Sequence, residues 1–118
     1  MVAEFEVRDT ALRRLVGAEP QVRRIAGGFG FTEGPVWTGE ALLFSDIPNN
    51  RIIRWRALPE RPEVTTFRHP VCVPYGTARG GSNGLTLDAQ GRLLACEHGG
   101  RRLSRTEPDG TVITLVDT

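Results

Sequence analysis

The chain has 118 residues, fifteen of them basic and fourteen acidic, for a formal net charge of +1. That length suits one ordinary domain, and the balanced charge, with every basic residue an Arg, excludes the one-sided basic excess of a nucleic-acid module. At 39% apolar and 25% charged the chain is not disordered in type, and no apolar run is long enough for a membrane helix.

Met1–Arg14 mixes acidic and basic side chains without the apolar stretch of a signal peptide. Cys72 and Cys96 are too few for a disulfide scaffold and lack metal-ligand spacing. The expectation is a cytoplasmic chain with two reduced thiols and no nucleic-acid or membrane partner.

Residues 1–20 read as an N-terminal extension, helical or irregular. Thr10–Val16 has weak helical periodicity, with Thr10 as the expected N-cap and Gly17 as the stop. From there the pattern is β. Strands are expected at Val22–Ala26, Val36–Trp37, Leu42–Ser45, Ile52–Trp55 and Val64–Phe67, then at Leu85–Leu87, Leu93–Cys96, Leu103–Thr106 and Val112–Val116. Asn49-Asn50 tolerates the positive φ of a type I′ hairpin, Asp88–Gly91 ends on a permissive Gly, and Pro108-Asp109-Gly110 presets a turn. Pro59–Pro62 and Pro70–Gly81 are longer loops, the second being the expected place for a functional excursion.

The two strand sets are copies. Glu33-Gly34-Pro35-Val36-Trp37 matches Asn83-Gly84-Leu85-Thr86-Leu87, Leu42–Asp46 matches Leu93–Glu97, Arg51–Arg54 matches Arg102–Arg105, and Val64–Phe67 matches Val112–Leu115. A four-stranded unit repeating at about 50 residues is a β-propeller blade. The fold class is therefore all-β: two four-stranded antiparallel blades within residues 21–118, the first at about 31–68 and the second at about 82–117. Propellers close with about four to eight blades. Two blades leave open edges, so the chain is expected to be part of a larger propeller or a unit that self-associates.

Several side chains have two readings on residue chemistry alone. Glu33 starts a blade's innermost strand beside Gly34-Pro35; it faces the central channel or is a solvated turn acid. Asn83 holds the same place in the second repeat, as a pocket amide able to donate and accept or as a turn asparagine before Gly84. Glu97 and His98 end the second blade's second strand, either lining a pocket, with His98 as proton carrier, or forming a surface pair. Asp46 reads as a turn former before Pro48, Cys96 as a small buried hydrophobe alternating with Leu94, and Trp37 and Trp55 as inter-blade packing.

Phe31–Trp37 followed by Leu43–Ile52 resembles the opening blade of the gluconolactonase/regucalcin-like (senescence marker protein) family. Ser82–Asp88, Gly91–Leu93, Ala95–Gly99 and the turn Glu107–Thr111 resemble its second blade. The resemblance covers roughly residues 20–118. It implies a six-bladed propeller, a divalent cation in the channel and hydrolysis of sugar lactones or related cyclic esters. Ca²⁺ comes first by ligand type, with Zn²⁺, Mn²⁺ or Mg²⁺ as alternatives. It further implies that Glu33 is a metal ligand, that Asn83 is a substrate-pocket residue, and that an acid at Glu97, with His98 beside it, borders the substrate. Many relatives carry an arginine two residues before the asparagine. Here that position is Gly81, which favours the gluconolactonase-type branch, with Arg79 close enough to substitute. The family's remaining ligands, an asparagine and an aspartate, and its general base lie in later blades. The chain therefore reads as an N-terminal fragment of a lactone hydrolase, inactive alone. The alternatives are a non-catalytic propeller module or a unit that assembles from several copies.

Overall fold

The computed structural model describes residues 5–74, 76 and 79–118. Within them a seven-residue helix precedes eight strands, which form two four-stranded antiparallel sheets, each a meander in chain order. The helix α1 (Thr10–Val16) buries none of its residues. Its N-cap is Asp9 rather than the expected Thr10, because the Asp9 carboxylate accepts the Ala11 N–H at 2.7 Å. Gly17 ends the helix at φ +80, as expected from its backbone freedom.

Residues 22–26, expected as a strand, join no ladder. The glycines at 27, 28 and 30 disfavour extended pairing, and the chain lies against the first sheet through other contacts. Phe29 sets its ring edge-on to Phe44 at a centroid distance of 5.1 Å. The backbone N–H groups of Gly30 and Phe31 donate to Asp46 Oδ1 at 2.9 and 3.4 Å.

The first sheet comprises β1 (Thr32–Trp37), β2 (Leu42–Asp46), β3 (Arg51–Arg56) and β4 (Glu63–Arg68). The second comprises β5 (Leu85–Leu87), β6 (Leu93–Glu97), β7 (Arg102–Thr106) and β8 (Val112–Asp117). Most strands outrun the apolar segments that announce them, since polar ends such as Thr32, Arg51 and Glu63 pair in the ladder as well. The repeat extends to irregularities. β3 and β4 slip register between Ile52 and Ile53, and β7 and β8 slip between Leu103 and Ser104, the matching step. Asn50 and Arg101, each leading into a third strand, both have φ +52. The Asn49-Asn50 turn is accordingly not a two-residue hairpin: Ile47–Asn49 make a 3₁₀ turn and Asn50 alone takes the left-handed position.

The core lies between the two sheets. Leu43 and Ile52 of the first pack with Leu85, Leu93 and Ala95 of the second, and Val71 enters from the connecting loop. Burying a side chain of this size contributes about 1.5–3 kcal/mol, so each sheet depends on the other. The 70–81 loop is therefore partly core rather than wholly an excursion; its Tyr75, Thr77 and Ala78 lie outside the described residues. Asn50 fixes the loop's start: its side chain accepts from the N–H groups of Val71 and Cys72 and donates to the Cys72 carbonyl at 2.9 Å.

Three side chains lie in surroundings other than those expected. Cys96 is exposed, and Cys72 is the buried thiol; neither forms a disulfide. Trp37 is 56% exposed rather than packed between the blades. Asp46 is fully buried and is more than a turn former: it binds Arg51 at 2.8 Å and Asn49 at 2.8 Å besides the N–H groups of Gly30 and Phe31. Burial pushes its carboxyl up, but these donors outweigh that and hold it below its ordinary 3.8.

Candidate functional site

The innermost strands β1 and β5 meet where the two sheets touch. Gly34 permits this, with φ +64; a side chain there would run into the Asn83 carbonyl and would lie 2.9 Å from the Leu85 nitrogen. Gly34 and Pro35 also interrupt β1, whose register shifts between Glu33 and Val36. Glu33 thus stands beside the second blade, half-buried, and Asn83 Nδ2 donates to Glu33 Oε2 at 3.1 Å. Two residues at equivalent places in the repeat are joined.

Asn83 is held from both sides. Its N–H donates to the Cys96 carbonyl at 2.9 Å within its own blade. Its carbonyl accepts the Ser45 hydroxyl, at 2.9 Å, from the other blade. Ser45 and Ser82 are buried, with their hydroxyls 2.9 Å apart.

Asn83, Glu97 and His98 border one groove of about 470 Å³ on the open side of the second sheet, together with Cys96, Leu103 and Val116. Glu33 borders a smaller hollow of about 270 Å³ on the other side, with Phe29 and Phe44. The Glu33–Asn83 contact therefore stands between the two depressions. Glu97 plays a different part from its neighbours. It is 2% exposed; Arg102 binds it through Nε at 2.7 Å and Nη2 at 3.2 Å, and Arg68 Nη2 at 2.7 Å. Burial pushes its carboxyl up, yet the Arg102 and Arg68 hydrogen bonds and the Arg68 charge hold it below the ordinary 4.5. It is an ionised group with both oxygens engaged, its side chain on the face of β6 that meets the first blade. His98 is exposed at the rim.

Gly81 explains why this chain has no arginine at that position. Its φ is +128, and a side chain would begin 2.9 Å from the Ile47 carbonyl oxygen and 3.2 Å from His98 Cε1. Arg79, in the same loop, is exposed. The roles of Ser45, Ser82 and Arg68 were missed in the sequence. The two serines had a signal, a hydroxyl within otherwise apolar or Gly-flanked inner positions; Arg68 had none, since its partner is in the other blade.

The donor set is carboxylate and amide oxygen, the type that hard divalent ions take. Among the described residues no three His, Cys, Asp or Glu side chains gather into a metal-binding cluster. The Glu33 carboxylate fits such an ion as one ligand of a larger set, with the Asn83 amide beside it.

No protein-family model matches the chain. The gluconolactonase of Zymomonas mobilis subsp. mobilis is 29% identical over 103 residues, covering 82% of this chain and 28% of that protein. A solved structure of a gluconolactonase from Xanthomonas campestris superposes with a TM-score of 0.66 at 30% identity, covering 93% of this chain and 34% of that one. The chain is a gluconolactonase homologue. A further solved structure assigned to the gluconolactonases matches with a TM-score of 0.64 at 37% identity, over 81% of this chain and 30% of that one. The two sheets are accordingly blades of the gluconolactonase propeller fold. The chain spans about a third or less of the relatives it matches. No helix among the described residues is long and apolar enough to cross a membrane.

Proposed function

We propose that these two blades are a working part of a metal-dependent sugar-lactone hydrolase of gluconolactonase type, acting in the cytoplasm, and that the 118 residues alone do not turn over lactone. The observation that carries the reading is the Asn83–Glu33 hydrogen bond at 3.1 Å, which joins the two repeat-equivalent polar residues in a chain whose homologues are gluconolactonases.

Glu33 would hold the divalent cation, Ca²⁺ foremost by ligand type. When bound, that cation supplies Lewis-acid polarisation of the ester carbonyl and lowers the pKa of water. Asn83 orients: with one amide hydrogen on Glu33, its second hydrogen and its Oδ1 remain chemically suited to a lactone hydroxyl. Arg68 and the half-buried Arg102 keep the buried Glu97 ionised and out of proton transfer. Gly81 leaves the rim without a guanidinium at that position, which suits a neutral lactone. In this reading the general base and the remaining ligands come from other blades.

The test has two parts. The purified chain is mixed with Ca²⁺, Mn²⁺ or Zn²⁺, and gluconolactone opening is followed above the spontaneous rate; no metal-dependent turnover is expected. A chimera is then made in which residues 31–117 replace the matching blades of the Xanthomonas campestris relative. It should show metal-dependent turnover, and Glu33→Gln should weaken metal affinity by more than the roughly 10–100-fold cost of an outer-shell partner. Unchanged affinity removes Glu33 from the site. A chimera that binds lactone without opening it would favour a non-catalytic module. A second reading, assembly of several copies, is favoured by the exposed Ile113, Leu115 and Val116 of β8; metal-dependent turnover by the chain alone, lost in Glu33→Gln, would select it.

A further inference from the structure

We infer that Ser45 is a positioning residue for the site, acting through Asn83. It is fully buried in β2, where a hydroxyl has no packing advantage over a methyl group of similar size. Its Cα partner across the β1–β2 ladder is Glu33. Its hydroxyl donates to the Asn83 carbonyl across the blade junction at 2.9 Å. One residue is thus tied by backbone pairing to the carboxylate's strand and by its side chain to the amide's backbone.

The proton bookkeeping gives the arrangement a direction. A serine hydroxyl carries one hydrogen. Since Ser45 gives its hydrogen to the Asn83 carbonyl, the Ser45–Ser82 contact of 2.9 Å must be donated by Ser82. Ser82 adjoins Asn83 in the chain and is itself buried. The relay runs from Ser82 to Ser45 to the Asn83 carbonyl, and it returns to the segment it started from. With the Asn83 N–H on the Cys96 carbonyl, the Asn83 backbone is fixed at both polar atoms. Its side chain then has few ways to leave Glu33, which lies 3.1 Å from Nδ2. Positioning of this kind matters because small displacements of a reacting or orienting group are expensive.

The inference rests on the Glu33–Asn83 pair being the functional site, but its test needs neither metal nor lactone, so the two can fail separately. In the ¹⁵N-labelled chain, hydrogen exchange of the Asn83 side-chain amide is measured at fixed neutral pH. In Ser45→Ala, with backbone spectrum otherwise preserved, that exchange should rise about fivefold, the loss of one ordinary hydrogen bond, and the Asn83 side-chain amide resonances should shift. Ser45→Thr should restore both. A native exchange rate and native Asn83 resonances in a folded Ser45→Ala variant overturn the inference. If Ser45→Ala does not fold, Ser45→Cys, with a weaker donor, is read the same way: faster exchange supports the inference, and a native rate overturns it. Failure of the metal and lactone assays with an intact Ser45 effect would remove the lactonase reading and leave the positioning in place.

Discussion

Arg68 ends the outermost strand of the first blade, yet its Nη2 lies 2.7 Å from Glu97 Oε1 in the second. The guanidinium side chain is 11% exposed and the carboxylate side chain 0%. Arg68 also donates to the Val71 carbonyl in the connecting loop. One side chain thus binds both blades and the segment between them. Arg68→Ala should cost about 3–5 kcal/mol, because it leaves Glu97 buried with half its compensation gone. Urea denaturation at neutral pH checks this; a loss below 1 kcal/mol would mean that the pair is not closed in solution.

Acid should unfold the chain earlier than its modest charge suggests. Glu97 and Asp46 both titrate below their ordinary 4.5 and 3.8. A carboxylate depressed in the folded state contributes stability that is fully present above its unfolded value and is lost as pH falls through its folded one. Stability should be flat from pH 7 to about 5 and fall steeply below 4.5. Glu97→Gln should start lower and give a shallower fall. The urea midpoint against pH, for both sequences, gives the answer, and parallel curves would exclude Glu97 as a source.

Two glycines next to the site should behave oppositely. Gly34→Ala meets φ +64 and the backbone of the second blade, whereas Gly84 has open space around the position of a side chain. Gly34→Ala should destabilise by at least about 1–3 kcal/mol and disturb the Asn83 amide resonances. Gly84→Ala should stay within about 1 kcal/mol of the parent. Equal effects at the two positions would argue against close approach of the inner strands.

Thiol labelling should separate the cysteines. Cys96 is exposed and Cys72 is 6% exposed, with the Gly81 N–H 3.3 Å from its sulfur. One equivalent of a thiol reagent should react quickly at Cys96, and the second only with unfolding. Peptide mapping after a short pulse identifies the site; rapid labelling at Cys72 would mean that the loop start opens readily.

The 50-residue repeat made the two meanders legible, because alternation and turn chemistry are local properties. It also made Glu33 and Asn83 legible, since equivalent places in two blades fall at one junction. What alternation does not say is which of a strand's two sides acquires a neighbour. Cys96 and Leu94 do share a side, as their spacing required, but it is the side that the first blade does not cover; Ala95 and Glu97 face that blade. Asp46 departs from a simple turn former for the same reason, its cover coming from Gly30 and Phe31. The Arg68–Glu97 and Ser45–Asn83 contacts span 29 and 38 residues, and no pattern within a strand encodes them.

Among the described residues, the Phe29–Phe31 segment gives the first blade a neighbour on its second side, while the second blade has one on a single side. Opening should consequently be directional, like a zip with only one free end. Strand β8, with Ile113, Leu115 and Val116 in solvent, has the least to lose by detaching. The central strands β2 and β3, carrying Leu43, Phe44, Ile52 and Ile53 among the buried residues, have the most. Amide hydrogens should therefore exchange in a spatial order, β8 first and β2–β3 last. Asn83 and Glu33 lie between these extremes, at the boundary where a partly opened chain would come apart.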